Sequence, residues 1–138
     1  MKKINYASLN PRQKETYNFQ KVSAILADYG FATIKLNDDW NGADFIAQHI
    51  DGETYLKVQL KGRLTFNKKY QKKGLHIAFP YDGDWYLYDH DELLNTFLGE
   101  YENQMAVSKS WIEKGDYNWG SLSEKIKKEL ESSKLDFK

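Results

Sequence analysis

The sequence has no cysteine, which excludes a disulfide scaffold, a thiol nucleophile, a thiolate zinc site and an iron–sulfur cluster. It has no run of about 18 apolar residues, so no transmembrane helix is expected. The charged start, Met1-Lys2-Lys3, has no apolar stretch behind it. No signal peptide is therefore expected, and the cytoplasm is the expected location. The three histidines, His49, His76 and His90, stand apart without ligand spacing, so no zinc site is assigned. Phosphate-loop, dinucleotide and serine-elbow patterns are missing, and Asp82-Gly83-Asp84 reads as a turn. Residues 54–81 contain no acidic side chain at all.

What is present fits one α/β domain. At 138 residues, 41% hydrophobic and 29% charged, the chain has ordinary globular composition. Asn10-Pro11-Arg12-Gln13 reads as a helix start: Asn10 caps, Pro11 takes the first helical position and Gln13 completes a capping box. Phe19, Val22, Leu26 and Tyr29 recur at helical spacing until Gly30. A strand is expected over residues 31–36 and a polar loop over 37–42. Two strands, 43–50 and 53–61, are joined by Asp51-Gly52, a strong hairpin signal. Short strands follow at 76–79 and 85–88, a helix from 91 to about 98, and a last helix capped by Ser121 or Ser123. Helix, strands, helices is the order of a layered α/β or α+β domain.

Net charge is zero, but it is unevenly placed. Lys57, Lys61, Arg63, Lys68, Lys69, Lys72 and Lys73 make residues 54–81 a block of charge +7. Such a block is either an electrostatic footprint for phosphate or a solvated loop guarding a strand edge.

A two-residue loop at 51–52 sets the hairpin register. Ile46 then faces Lys57, Phe45 faces Val58, and Asp44 lies across from Gln59 with Cβ atoms about 4.5–5.5 Å apart. Alternation sends Leu56, Val58 and Leu60 to a core, and Lys57, Gln59, Lys61 and Arg63 to the side of Asp44. One carboxylate there can hold a divalent cation with help from substrate phosphate, and Lys61 can orient a water. The alternative is a polar hairpin face that simply meets water. Glu15 lies one helical turn before Phe19, on the apolar stripe. It either finds a partner at that face or, near the helix start, favours the macrodipole and reaches solvent.

Asp44, then fourteen residues, then Gln59-Leu60-Lys61, resembles the signature of the PD-(D/E)XK nuclease superfamily. The order of helix, strands and helix over residues 10 to about 98 is similar too. The resemblance implies a restriction-endonuclease-like core with a helical extension over about 99–138. It implies metal ligation by Asp44, Gln59 and the Leu60 backbone carbonyl, with Glu15 as the helix acid and Lys61 as the catalytic lysine. The cofactor would be magnesium or manganese, the substrate DNA, double-stranded or branched, and the assembly a homodimer or higher homo-oligomer. Two positions depart from the pattern: Ala43 stands where the family has proline, and Gln59 where it has an acid.

Lys57, Arg63, Lys68, Lys69, Lys72 and Lys73 are the expected DNA contacts. Phe66 and Tyr70 interleave with these lysines, either to stack on bases or to anchor the loop to the core. Trp40, just before Asp44, either joins the core or shapes the site mouth. Two other readings are a DNA-binding relative without catalysis, which Gln59 favours, and a protein-interaction or immunity-type module, which the acidic last third favours.

Overall fold

A computed structural model describes residues 1–40, 42–100 and 105–136, the side chains of Asp39 and Trp40 excepted. Helix α1 (Pro11–Asp28) begins as its sequence dictates: the Asn10 side chain accepts the Gln13 N–H at 2.8 Å, and the Gln13 side chain accepts the Asn10 N–H at 3.0 Å. Strands β1 (Phe31–Trp40), β2 (Ala43–His49) and β3 (Tyr55–Leu60) form an antiparallel meander. β4 (Leu64–Asn67) leaves the sheet. β5 (Leu75–Tyr81) then returns parallel to β3, and β6 (Asp84–Asp89) folds back on it. Helix α2 (His90–Glu100), β7 (Asp116–Trp119), α3 (Glu124–Glu129) and β8 (Lys134–Leu135) complete the chain.

The main sheet is mixed and six-stranded, in the order β1-β2-β3-β5-β6-β8, and β4 pairs with β7 in a second sheet. The fold is thus α/β, with helices on both faces of the main sheet. Val22, Ile25 and Leu26 of α1 pack on Phe45, Ala47, Val58, Ala78 and Trp85. On the other face Leu75, Ile77, Phe79 and Tyr88 meet Leu64, Phe66, Leu94, Phe97 and Ile126. That cover does not reach the β1 edge, where Ile34 is 56% exposed. Among the described residues no helix is long and apolar enough to cross a membrane.

Several local expectations need correction. β1 does not stop at residue 36. It continues to Trp40 through a register shift between Lys35 and Trp40, because a bulge lets a polar segment keep pairing on an edge strand. Asn41, in the expected loop, lies outside the described residues, as does the Trp40 side chain. The hairpin register is as expected, with Phe45 opposite Val58 and Ile46 opposite Lys57. Its connection is wider than two residues, since the last backbone bond runs from His49 N–H to Thr54 O. Asp51 closes this loop by accepting the Thr54 hydroxyl at 2.6 Å and the Thr54 and Glu53 N–H groups at 2.8 Å. Those bonds hold its carboxyl well below the usual carboxylate range.

β4 and β7 were not legible locally. They are joined to the main sheet by Tyr88, whose buried hydroxyl donates to Thr65 O at 2.6 Å and accepts from Thr65 N–H at 3.2 Å. Burial pushes this phenol far above its ordinary pKa. Tyr88→Phe is expected to cost about 1–3 kcal/mol, because it strands two buried backbone groups. Urea denaturation checks this; a loss below about 0.5 kcal/mol would show that Thr65 finds other partners.

Candidate active site

Asp44 is the second residue of β2 and is half-buried. The β2–β3 ladder runs only as far as Phe45 opposite Val58. Beyond it Asp44 Oδ2 accepts the Leu60 N–H at 2.8 Å, so a side chain takes over where backbone pairing ends. The carboxylate is thereby fixed against the strand that carries Gln59 and Lys61, at the Leu60 N–H rather than in a ladder pair with Gln59.

Gln59 is only 9% exposed. Its Nε2 makes a long 3.4 Å contact with Leu60 O, and its Oε1 is buried with no hydrogen-bond partner. An orphaned buried oxygen is costly, so this one calls for a donor or a cation. Lys61 extends β3, its N–H donating to Ala78 O at 2.9 Å. Its ammonium lies 5.3 Å from the centroid of the Tyr70 ring, and the Lys69 ammonium lies 5.2 Å from the same ring. Gly42, just before this end of β2, passes so close that a Cβ there would meet Tyr70 at 3.2 Å and Leu75 at 2.8 Å. Tyr70 is therefore a shared wall for the Asp44 strand and the Lys61 side chain.

Phe66 is fully buried and Tyr70 only 2% exposed, so both anchor the basic segment and neither offers a free ring for stacking. That segment is tied down at several points. Asn67 N–H donates to His90 Nε2 at 3.1 Å, His90 Nδ1 meets Asp91 Oδ1 at 2.9 Å, and Asp91 Oδ2 accepts the Lys72 N–H at 2.8 Å. Lys72 sits at φ +61°, a strained conformation that this last bond holds in place. Because Nε2 accepts, the His90 proton sits on Nδ1 and the ring is neutral. Burial pushes the His90 pKa down, outweighing the pull of Asp91. Burial also raises the Asp91 carboxyl, but the bonds from His90 and Lys72 outweigh it and leave the carboxyl below its usual range.

The expected DNA contacts fall into two groups. Lys69, Lys72 and Lys73 are exposed around Tyr70. Lys57 is half-buried and its ammonium donates to Lys73 O. Arg63 donates to Asn118 Oδ1 at 3.2 Å, and the Lys68 ammonium lies 5.1 Å over the Trp111 ring. Both are thus fastened to residues beyond 105, a stretch with no assigned role in the sequence reading.

Glu15 is the misplaced member. It is exposed, and α1 buries no side chain before Val22. Helical spacing put Glu15 on the right stripe, but the first turns of the helix bring no part of that stripe to the core. Among the described residues no group of three or more His, Asp or Glu side chains is placed to hold a metal. The hard oxygens on this part of β2 and β3 are the Asp44 carboxylate, Gln59 Oε1 and the Leu60 carbonyl, the last faced by the Gln59 amide nitrogen at 3.4 Å. This is a hard-donor set of the kind magnesium and manganese take, with one negative charge. His90 and Asp91 were missed as supports, since nothing in their spacing distinguishes them, whereas the anchoring role of Tyr70 was one of its two expected roles.

No protein-family model matches the chain, and no curated protein matches it. Among solved structures it is similar to Hjc, a Holliday junction resolvase from the archaeal hyperthermophile Archaeoglobus fulgidus. The match has 16% identity and a TM-score of 0.40, and it covers 51% of this chain and 74% of that one.

Proposed function

We propose that the chain is a divalent-metal-dependent endonuclease of PD-(D/E)XK type, hydrolysing DNA phosphodiester bonds. The observations that carry this reading are the Asp44 carboxylate held on β3 through the Leu60 N–H and, on the same strand, the buried, unpartnered Gln59 oxygen, with Lys61 two residues further on. Asp44, Gln59 Oε1 and the Leu60 carbonyl would hold magnesium or manganese, without Glu15. When bound, such a cation neutralises the scissile phosphate and eases deprotonation of water. Lys61 orients the attacking water and meets the charge that develops on phosphorus oxygens. Lys69, Lys72 and Lys73 hold flanking phosphates, and cutting both strands calls for two copies of the chain. As an enzyme acting on cellular DNA it would work in the cytoplasm.

A DNA-binding relative without catalysis is the second reading, favoured by the neutral Gln59 and the exposure of Glu15. The deciding experiment incubates the chain with labelled duplex, single-stranded, branched and supercoiled DNA, with magnesium or manganese, beside Lys61→Ala. Metal-dependent products that fall about 100-fold or more in Lys61→Ala are expected. Binding that weakens steeply with salt, without products, would replace the nuclease reading by the second one. Neither products nor binding would leave a protein-interaction module.

A further inference from the structure

The basic segment carries one ring that two cations share. Lys68–Tyr70 forms a single helical turn capped by Asn67, whose side chain accepts the Lys69 N–H at 3.0 Å. The turn sends the Tyr70 ring inward, where the residue is only 2% exposed. The His90 ring meets it edge-on at 5.6 Å, and a Cβ on Gly42 would stand 3.2 Å from Tyr70 Cδ1. His90 is itself held by Asn67 and Asp91, so the Tyr70 ring is fixed from several sides.

Two ammonium groups meet this fixed ring. Half-buried Lys61 reaches it from just past the end of β3, and exposed Lys69 reaches it from the helical turn. At 5.3 and 5.2 Å from one centroid, the two charges stand apart by no more than twice that reach. Neither forms an ion pair with a carboxylate among the described residues. Like charges gathered without a counter-charge draw an anion. The electron-rich ring also settles two flexible side chains before a ligand arrives, which spares the entropy of ordering them later. Lys61 follows directly on Leu60, whose N–H binds Asp44, so the pair of cations begins at the Asp44 end of β3. Two cations at that spacing suit successive phosphates of one strand.

We propose that Tyr70 is a positioning residue whose ring sets the Lys61 ammonium at the scissile phosphate and the Lys69 ammonium at a neighbouring phosphate of the same strand. The proposal rests on the nuclease reading and adds that the chain grips the strand it cuts by two successive phosphates.

Tyr70→Leu removes the ring and keeps both charges, and Tyr70→Phe keeps the ring. In NMR spectra of the unsubstituted chain and of Tyr70→Phe, the ε-methylene protons of Lys61 and Lys69 are expected upfield of those of free lysine, shifted by the ring current. In Tyr70→Leu both return to the ordinary position. Well below the melting temperature, kcat is expected to fall about tenfold or more in Tyr70→Leu and to recover in Tyr70→Phe. The salt dependence of DNA binding without metal stays unchanged in both, because no charge is lost. A merely structural role would instead loosen the whole basic segment and lessen that salt dependence. A neutral methylphosphonate in place of one of the two phosphates beside the cut is expected to weaken binding by the unsubstituted chain and to cost Lys69→Ala nothing further.

Ordinary lysine positions in the unsubstituted chain overturn the proposal, even if Tyr70→Leu does not fold. So does a normal kcat or a lessened salt dependence in folded Tyr70→Leu, or an equal loss from the neutral link with and without Lys69. Cleavage with any of these results leaves the nuclease reading standing alone. Without cleavage, shifted lysine signals and a salt dependence lessened by about one phosphate contact in each of Lys61→Ala and Lys69→Ala keep the grip and remove the nuclease.

Discussion

Asp44→Asn is expected to fold like the unsubstituted chain and to cleave DNA more than about 100-fold more slowly. The amide keeps an oxygen for the Leu60 N–H that Asp44 Oδ2 now accepts at 2.8 Å, so the junction of β2 and β3 survives. What disappears is the only negative charge among the three oxygen donors. Changes to groups that merely support a metal ligand cost about 10–100-fold, so loss of the ligand's own charge should cost more. Asp44→Ala separates the two roles. It loses the charge and also strips the Leu60 N–H of its acceptor, adding a stability cost of about 1–3 kcal/mol. Cleavage assays beside thermal melts check both. Near-normal cleavage by folded Asp44→Asn would remove Asp44 from the site and the nuclease assignment with it.

The second large effect is expected at His90, and it has a pH signature. In the folded chain His90 is fully buried and its pKa lies below the ordinary value of 6.5. His76 is shifted in the same direction by burial, against the pull of Asp89 and Glu92. The unfolded chain therefore binds more protons than the folded one below about pH 6.5. Stability is full above that value and falls as the pH drops through it, until the folded pKa values are reached. Each histidine can contribute up to about 1.4 kcal/mol per pH unit in that window. Asp91 acts in a separate, more acidic window, because its lowered pKa withdraws stability only as the pH falls below its usual 3.8.

His90→Ala is expected to cost about 3 kcal/mol, from the cavity left between Phe66 and Tyr70 and from the unsatisfied Asn67 N–H. It should also flatten the fall between pH 6.5 and 5 and weaken DNA binding by loosening Lys69, Lys72 and Lys73. Amide exchange at Asn67 and Lys72 would rise together. A melting temperature that stays constant from pH 8 to pH 5 in the unsubstituted chain would show that His90 titrates normally, contrary to its burial.

The legible parts of this fold were those set by neighbours in sequence. Asn10 and Gln13 cap each other within one turn, Ser123 caps α3, and the pairing of Phe45 with Val58 follows from a short connection. The strand alternation that put Leu56, Val58 and Leu60 against a core was legible for the same reason. The parts that stayed hidden depend on distant chain. Nothing local to Gln59 announces that β5 will pair alongside it, with Ile77 opposite, and nothing local to His90 announces Phe66 and Tyr70. Glu15 shows the reverse error: periodicity gives the side of a helix, but only the length of the sheet beneath it decides how much of that side is buried. That Asp44 would meet β3 was readable because both lie within one hairpin.

The second sheet has a consequence for how the chain is made. Arg63 and its partner Asn118 are 55 residues apart, and β4 finds β7 only after that length has been synthesised. Pairings of such long range form late and slowly. On the ribosome the lysine-rich stretch therefore emerges, spends seconds without its fastening strand, and is the part of the nascent chain most open to proteases and to stray polyanions.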